Sequence, residues 1–365
     1  MDVDLPCRLE LISDLPGHDE RAWQVAWNPT KPLLASCSAD KSVRTYSYRP
    51  SDHGSKSLAF SHVGTIPTGH TKTVRSIAWA PSGKTLAAGS FDSNVSVWER
   101  EDVSDSEDPG ETAGDWECVT LLEGHETECK SVGYSSSGTL LASCSRDKTV
   151  WIWEVQPDAD FECMGVLMEH SQDVKCVAWH PSEEILASGS YDDTIKLYID
   201  DPSEDWYCFS TLSGHKSTVW SLSWSPQGSY LASSSDDLTI RIWKRVEEHK
   251  WKSVLELRGH ERSIYSISWG VGKGTSENLG WLATTGGDGK INVWEITETQ
   301  HTKDPLTARL LARMSGAHDV NDINSVSWCP RLNHSDLLAT AGDDGLVKVW
   351  RVVPFRLTMY CASFM

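Results

Sequence analysis

Residues 221–243, SLSWSPQGSYLASSSDDLTIRIW, alternate between apolar and small polar side chains as half-buried strands do. The pattern predicts one strand running into Trp224, a second through Tyr230–Ser235 and a third ending at Trp243. Between the first two, Pro226 followed by Gly228 supplies turn chemistry. The Thr/Ile/Trp-rich run after Asp237 is strand chemistry. A sheet this small cannot bury both of its faces alone; it needs copies of itself on either side.

The chain supplies those copies. His recurs at His18, His70, His125, His170, His215, His260 and His318, and an Asp follows each, at Asp40, Asp92, Asp147, Asp192, Asp237, Asp288 and Asp344. In the first five units the spacing from His to Asp is 22 residues. Six residues after each Asp stands a large aromatic: Tyr46, Trp98, Trp153, Tyr198, Trp243, Trp294 and Trp350. Four before it comes Ser36, Ala88, Ser143, Ser188, Ser233, Thr284 or Thr340. Units are therefore expected at about 14–47, 66–98, 121–154, 166–198, 211–243, 256–294 and 314–351, within one domain spanning 1–365. A ring of such sheets buries both faces of each, so the expected fold is an all-β, seven-bladed propeller. Arg8–Ile12 precede His18 as an outer strand should, while the last unit ends after Trp350 without one. The amino-terminal strand is expected to complete the seventh blade and remove an unpaired edge.

These offsets resemble the hydrogen-bonded tetrad of WD40 repeats. The resemblance implies that the Trp indole N–H reaches Ser or Thr, which reaches His, which reaches Asp. A buried polar network that is fully satisfied fixes one arrangement of each blade. Ala88 lacks the hydroxyl, and Tyr46 and Tyr198 replace Trp, so weaker networks are expected in blades 1, 2 and 4. A His/Ser/Asp set also suggests a hydrolase triad, but a triad needs one activated nucleophile beside one base. A set repeated around a ring is a scaffold feature, and no catalytic residue is expected.

Composition narrows the partners. The net charge of −19 repels phosphate backbones and anionic membranes, and no basic stripe offsets it, so neither nucleic acid nor a membrane is expected as a partner. No run of about 18 apolar residues occurs, and MDVDLPCRLELISD carries no basic region ahead of an apolar stretch, so neither a membrane span nor a secretory signal is expected. The ten Cys are dispersed and form no Cys-x-x-Cys pair; several, such as Cys144 in LLASCS, fall inside apolar runs. Reduced, largely structural thiols are expected, with no metal site and no cofactor.

Extra residues enter at 47–62, 99–117, 270–280 and 299–308. The second, EREDVSDSEDPGETAGDWE, carries nine acidic residues and is expected to be a solvated, mobile loop. WD40 topology implies that the Asp and His markers lie on one face, the top. The residue before each marker Asp would project there: Ala39, Phe91, Arg146, Tyr191, Asp236, Gly287 and Asp343. So would a second ring on the first strands: Trp23, Arg75, Lys130, Lys175, Trp220, Tyr265 and Asn324. Arg75, Lys130, Arg146 and Lys175 are thus expected near Phe91 and Tyr191. A basic, aromatic patch on an acidic protein is the expected partner-binding surface, with Trp23, Trp220 and Tyr265 beside it.

Three stretches go beyond the generic repeat: CSRDKTVWIWE at 144–154, EHSQDVKCVAWHPSEEILASGSYDDTIKLY at 169–198, and GHKSTVWSLSWSPQGSYLASSSDDLTIRIWK at 214–244. They resemble the WD40 subunit of the cytosolic iron–sulfur protein assembly machinery. The resemblance implies a non-enzymatic adaptor that joins a small acidic-tailed subunit and a large helical-repeat scaffold subunit in a hetero-oligomer. It further implies contact with an iron-only-hydrogenase-like carrier protein and with apo iron–sulfur clients of the cytoplasm and nucleus, which receive [4Fe–4S] clusters. The family's functional top-face Arg falls on Arg146, within Ser145-Arg146-Asp147-Lys148. Another WD40 adaptor, such as a chromatin-complex or ubiquitin-ligase substrate-receptor subunit, is the alternative reading. A propeller hydrolase or lyase ranks far lower.

Overall fold

The computed structural model describes residues 5–15, 17–51, 58–100, 115–156, 160–201, 205–273, 278–298 and 306–355. Within them lie 28 strands arranged as seven four-stranded antiparallel sheets. Each sheet is a meander in which the first strand is innermost and the fourth outermost. In blade 5 the order is Val219–Trp224, Tyr230–Ser235, Thr239–Glu247 and Lys250–Arg258, so the three strands read from that unit's alternation are all present. The second strand of blades 1, 3, 4, 5 and 7 is buried along its whole length, that of blade 2 along all but its first residue and that of blade 6 along all but its first two. Flanked by a strand on each side and by a neighbouring blade on each face, it has no solvent-facing side; that is why sequences such as LLASCS contain no charge.

The seventh sheet is built from both ends of the chain. Cys7–Leu15 pairs antiparallel with Val347–Pro354, in register from Cys7 opposite Pro354 to Leu15 opposite Val347 with one irregularity between Leu11 and Ser13. This is the expected closure, with a strand longer than Arg8–Ile12. Leu9 and Leu15 are buried in two adjoining cores, one shared with Trp328 and Trp350, the other with Trp27 and Leu337. The innermost strands then close a ring in which Ile323–Trp328 of blade 7 packs on Ala22–Trp27 of blade 1.

Neighbouring blades do not share a backbone ladder, so side chains join them. The amides of Val25, Ile77, Val132, Val177, Ile267 and Val326 each donate to a side-chain oxygen of the preceding blade, at 3.3, 2.7, 3.0, 3.4, 3.3 and 3.0 Å. The acceptors are Ser325, Gln24, Ser76, Ser131, Ser221 and Ser266. Cys176 stands at the corresponding position of blade 4. Indole N–H groups of Trp27, Trp79, Trp179, Trp224 and Trp328 add a second set, donating to backbone carbonyls of the preceding blade at 2.8–3.1 Å. On the opposite end, His180 bonds the Gly228 carbonyl at 3.0 Å, and a Cβ on Gly228 (φ +77°) would lie 2.2 Å from its ring. Glycine is needed there on both counts.

The insertions are partly strand. Val43–Pro50 and Leu58–Ile66 run through most of 47–62, and Asn278–Gly286 and Leu306–Ser315 reach into 270–280 and 299–308. Residues 101–114, the bulk of the acidic stretch, lie outside the described residues.

Deleting residues 1–13 removes most of the closing strand with Leu9 and bares the outer edge of Val347–Pro354. Burial of Leu9 and its neighbours is worth roughly 3–6 kcal/mol, so the melting temperature should fall by about 5 °C or more, with concentration-dependent association through the edge. A scan of the truncated and full chains checks this; equal melting and monomeric elution would refute it.

Candidate functional site

Seven polar networks carry the top face. In each blade the His Nδ1–H donates to the marker Asp; His18, His125, His170 and His215 do so at 2.8–2.9 Å. His70, His260 and His318 do so at 2.9–3.1 Å. With Nδ1 protonated, Nε2 of the neutral ring accepts from a buried hydroxyl. That hydroxyl is Ser36, Ser143, Ser188, Ser233, Thr284 or Thr340 in six blades, at 2.7–2.9 Å. The chain of donation begins at indoles: Trp153, Trp243, Trp294 and Trp350 donate to the same oxygens at 2.9–3.4 Å.

Blade 2 corrects the expectation of a weakened network. Ser96 takes the place that Ala88 leaves: His70 Nε2 lies 2.9 Å from its Oγ, and Trp98 Nε1–H donates to it at 2.8 Å. The swap works because Ala88 and Ser96 face each other across adjacent strands, so a hydroxyl from either reaches the same point. The two Tyr blades differ from one another. Tyr198 lies 3.3 Å from Ser188 Oγ and keeps the network joined, whereas the buried Tyr46 hydroxyl has no hydrogen-bond partner among the described residues.

In blades 1 to 6 the Asp also staples two loops. Its carboxylate accepts the amide after the His, as Asp237 does from Lys216 at 3.0 Å, and the amide two residues onward, as from Thr239 at 2.9 Å; Asp344 of blade 7 makes the second of these bonds, from Leu346 at 3.0 Å. The intervening residue is left-handed in every blade, at Lys41, Ser93, Lys148, Asp193, Leu238, Gly289 and Gly345. A β-turn Leu at φ 67° is unfavourable by itself, so the staple holds the turn. Burial opposes ionisation of these carboxyls. Bonds from His, from backbone amides and, in several blades, from Ser or Thr outweigh it and hold all seven Asp below the usual range.

The staples aim the top-face side chains at the mouth of the central channel. A cavity of about 260 Å³ opens there, and the whole second ring lines it: Trp23, Arg75, Lys130, Lys175, Trp220, Tyr265 and Asn324. Phe91 and Asp343 come from the turns, and Arg21 and Asp322 complete the lining. Sequence reasoning missed these last two, although each stands two residues before a ring member, immediately ahead of the strand that carries it. The cations lie on aromatic rings: Arg75 over Trp23 at 4.7 Å, Lys130 over Phe91 at 4.0 Å, and Lys175 over Tyr191 and Trp220 at 5.2 Å each. Burial pushes the Lys130 ammonium down to about 8 and lowers Arg75 as well.

Arg146 is placed apart from this group. It does not line the cavity; its side chain is 58% exposed and bonds Glu128 at 3.1 Å. Tyr191 is half exposed beside Lys175. On the facing side of the mouth, Asp236 accepts from Trp220 at 2.6 Å and Asp343 from Asn324 at 2.8 Å. The thiols show no clustering with His, Asp or Glu suited to a metal among the described residues, where nine Cys are free.

Seven tetrad-bearing sheets around a channel, closed by the amino-terminal strand, define a WD-repeat propeller. The profile of the family described as WD domain, G-beta repeat matches residues 9–47, 57–99, 116–154, 161–198, 206–244, 251–295 and 309–351. A protein of Cryptococcus neoformans var. neoformans serotype D, named probable cytosolic iron-sulfur protein assembly protein 1, is 45% identical over 437 aligned residues, covering 95% of this chain and 99% of that protein. Proteins of the same name from Mycosarcoma maydis and Malassezia globosa are 49% and 54% identical over shorter spans, covering 41% and 28% of this chain and 39% and 29% of those proteins. The chain belongs to this family of WD-repeat proteins.

Two outcomes test the networks. Ser96→Ala should cost about 1–3 kcal/mol by stranding His70 and Trp98, and adding Ala88→Ser should restore most of it; urea unfolding of both variants decides, and a double variant no better than the single one would refute the shared position. The second concerns acid. Unfolded Asp takes up protons near pH 4 while the folded carboxyls do not, so the unfolded state binds more protons and stability falls as pH drops through about 4. Urea midpoints at pH 7, 5 and 3.5 should be nearly equal between the first two and fall sharply at the third.

Proposed function

We propose that this propeller is a non-catalytic scaffold of cytosolic iron–sulfur protein assembly, helping to pass [4Fe–4S] clusters to apo-proteins through protein contacts. The observation that carries the reading is the 45% identity that extends over 95% of this chain and 99% of a relative named for that process. The geometry supports the scaffold part. Each His–hydroxyl–Asp set is engaged in its own blade and recurs around the ring, which leaves no single activated nucleophile among these sets. The cluster is cargo, held by the partners and clients rather than by dispersed thiols.

The partners in this reading are a small acidic-tailed subunit, a large helical-repeat scaffold subunit, an iron-only-hydrogenase-like carrier protein and apo clients of the cytoplasm and nucleus. Arg146 is the top-face contact in this reading. It is exposed, and its one carboxylate partner among the described residues is a partly exposed Glu128, so the guanidinium can exchange that contact for one with an incoming carboxylate.

Arg146→Glu should shift stability by no more than about 0.5–1 kcal/mol, part of it repulsion from Glu128. Capture of the assembly subunits and clients should nevertheless fall, and cytosolic and nuclear [4Fe–4S] enzymes should lose activity while mitochondrial ones keep it. Side-by-side pull-downs with wild type, Arg146→Gln and Arg146→Glu are the measurement. A folded Arg146→Glu that holds every partner at wild-type strength would move the binding surface elsewhere; a wild type that captures no assembly subunit would overturn the function itself.

A further inference from the structure

Two turns at the end of the ring opposite the Asp turns are held by the same set of bonds, made by different side chains. After the first strand of blade 1, Asn28 Oδ1 accepts the amides of Thr30 and Lys31 at 3.0 and 2.7 Å, and Nδ2 donates to the Gly83 carbonyl of blade 2 at 2.9 Å. After the first strand of blade 4, His180 Nδ1 accepts the amides of Ser182 and Glu183 at 3.3 and 2.9 Å, and Nε2 donates to the Gly228 carbonyl of blade 5 at 3.0 Å. Amides are met by an acceptor and a carbonyl by a donor, so the His180 ring is neutral with its proton on Nε2. The seven tetrad rings carry theirs on Nδ1. The His180 imidazole thus does the work of the Asn28 amide, and unlike an amide it titrates.

The seam it spans lacks a bond that the others have. Leu222 is the blade 5 counterpart of Val177 and Ile267, but Cys176 stands where its side-chain oxygen should be, so its amide has no such acceptor among the described residues. The Trp224 indole crosses the seam to the Ala178 carbonyl at 3.0 Å. Two groups of one turn also cross it: the His180 ring, and the Glu183 carboxylate, which binds Arg245 of blade 5 at 2.9 Å. Because Nδ1 holds the Glu183 amide, the ring positions both. His180 is 3% exposed and meets the Trp224 ring edge to face, with centroids 4.8 Å apart. The charged groups that reach it are Glu183, with Oε1 3.6 Å from Nε2, and Arg245, which already binds that carboxylate. Burial lowers the imidazole below its usual range; the Gly228 carbonyl and Glu183 oppose this, and Arg245 adds to it.

We propose that the seam between blades 4 and 5 is an acid-sensitive joint, locked while His180 is neutral and released when a proton on Nδ1 turns the acceptor of two amides into a donor. The turn at 181–184 then loses its anchor, Glu183 leaves Arg245, and this side of the seam opens ahead of the other six. The closed joint takes up its proton below the usual imidazole range, whereas the open one does so near 6.5. Closure is therefore complete at neutral pH and is lost as pH falls below about 6.5. Opening is confined to one turn, so the urea midpoint of the whole ring moves by no more than that turn's own opening.

The test uses the full isotope-labelled chain, with amide hydrogen exchange read by NMR at pH 7.5 and 5.5 and corrected for intrinsic rates. Protection of the Ser182 and Glu183 amides should fall about tenfold across that interval, the factor by which proton uptake near 6.5 favours the open turn. The Thr30 and Lys31 amides, in the matching Asn28 turn of the same molecule, should keep theirs. His180→Asn, which copies blade 1, should fold and show no fall in either turn. Imidazole nitrogen shifts at pH 7.5, with His180 assigned by its loss in that variant, should show Nε2–H. An equal fall in both turns, no fall in either, an unchanged fall in folded His180→Asn, or an Nδ1–H ring at position 180 would each overturn the proposal. Should His180→Asn fail to fold, the comparison of the two wild-type turns still decides.

Discussion

Every other feature depends on the ring being closed. A four-stranded sheet with two apolar faces is stable only between two others, and an open row would leave two faces and one edge exposed. Pairing of Cys7–Leu15 with Val347–Pro354 places the last blade beside the first. The contact Val25–Ser325 and the bond from Trp27 to Ser327 then stitch that junction as the other seams are stitched. The channel, its mouth and the orientation of the top-face loops all follow from that one closure.

Closure would leave the loops of each blade free to shift against its strands if apolar packing alone held them. The tetrads remove that freedom because their polarity runs one way, from indole through hydroxyl and imidazole to carboxylate. A network of this kind constrains function, not only position, to be conserved in each blade. In blade 2 the hydroxyl has moved from one strand to its neighbour while His70, Asp92 and Trp98 keep their places. Because the network occupies a His, an Asp and a Ser or Thr hydroxyl in each of seven blades, chemistry that resembles a catalytic set is spent on architecture.

The top face shows the opposite economy. Blades 5 and 7 bring Asp236, Asp322 and Asp343 to the mouth, and two of these accept bonds from neighbouring ring residues. Blades 2 and 3 bring cations whose partners are aromatic faces. A protein of net charge −19 thus presents a small polarised opening, basic on one wall and acidic on the other. Such an opening selects by sign and orientation more than by area.

The strand pattern, the seven markers and the closing strand were legible in the chain itself, because period-2 alternation and fixed His-to-Asp spacing are local properties. The second ring was legible too: all seven of its members reach the channel mouth, since a constant offset from the strand end fixes which way each points. Tertiary structure decided what local pattern does not encode. It let Ser96 stand in for Ala88, because these positions, eight residues apart on consecutive strands, face each other once the strands pair. It separated Arg146 from Arg75, Lys130 and Lys175 by committing it to Glu128 outside the cavity. It also left Arg75 and Lys130 with aromatic faces for close contacts and no carboxylate within ion-pair distance among the described residues, a fact about which side chains meet across blades; composition gives the charges, but only the packed ring determines which of them pair.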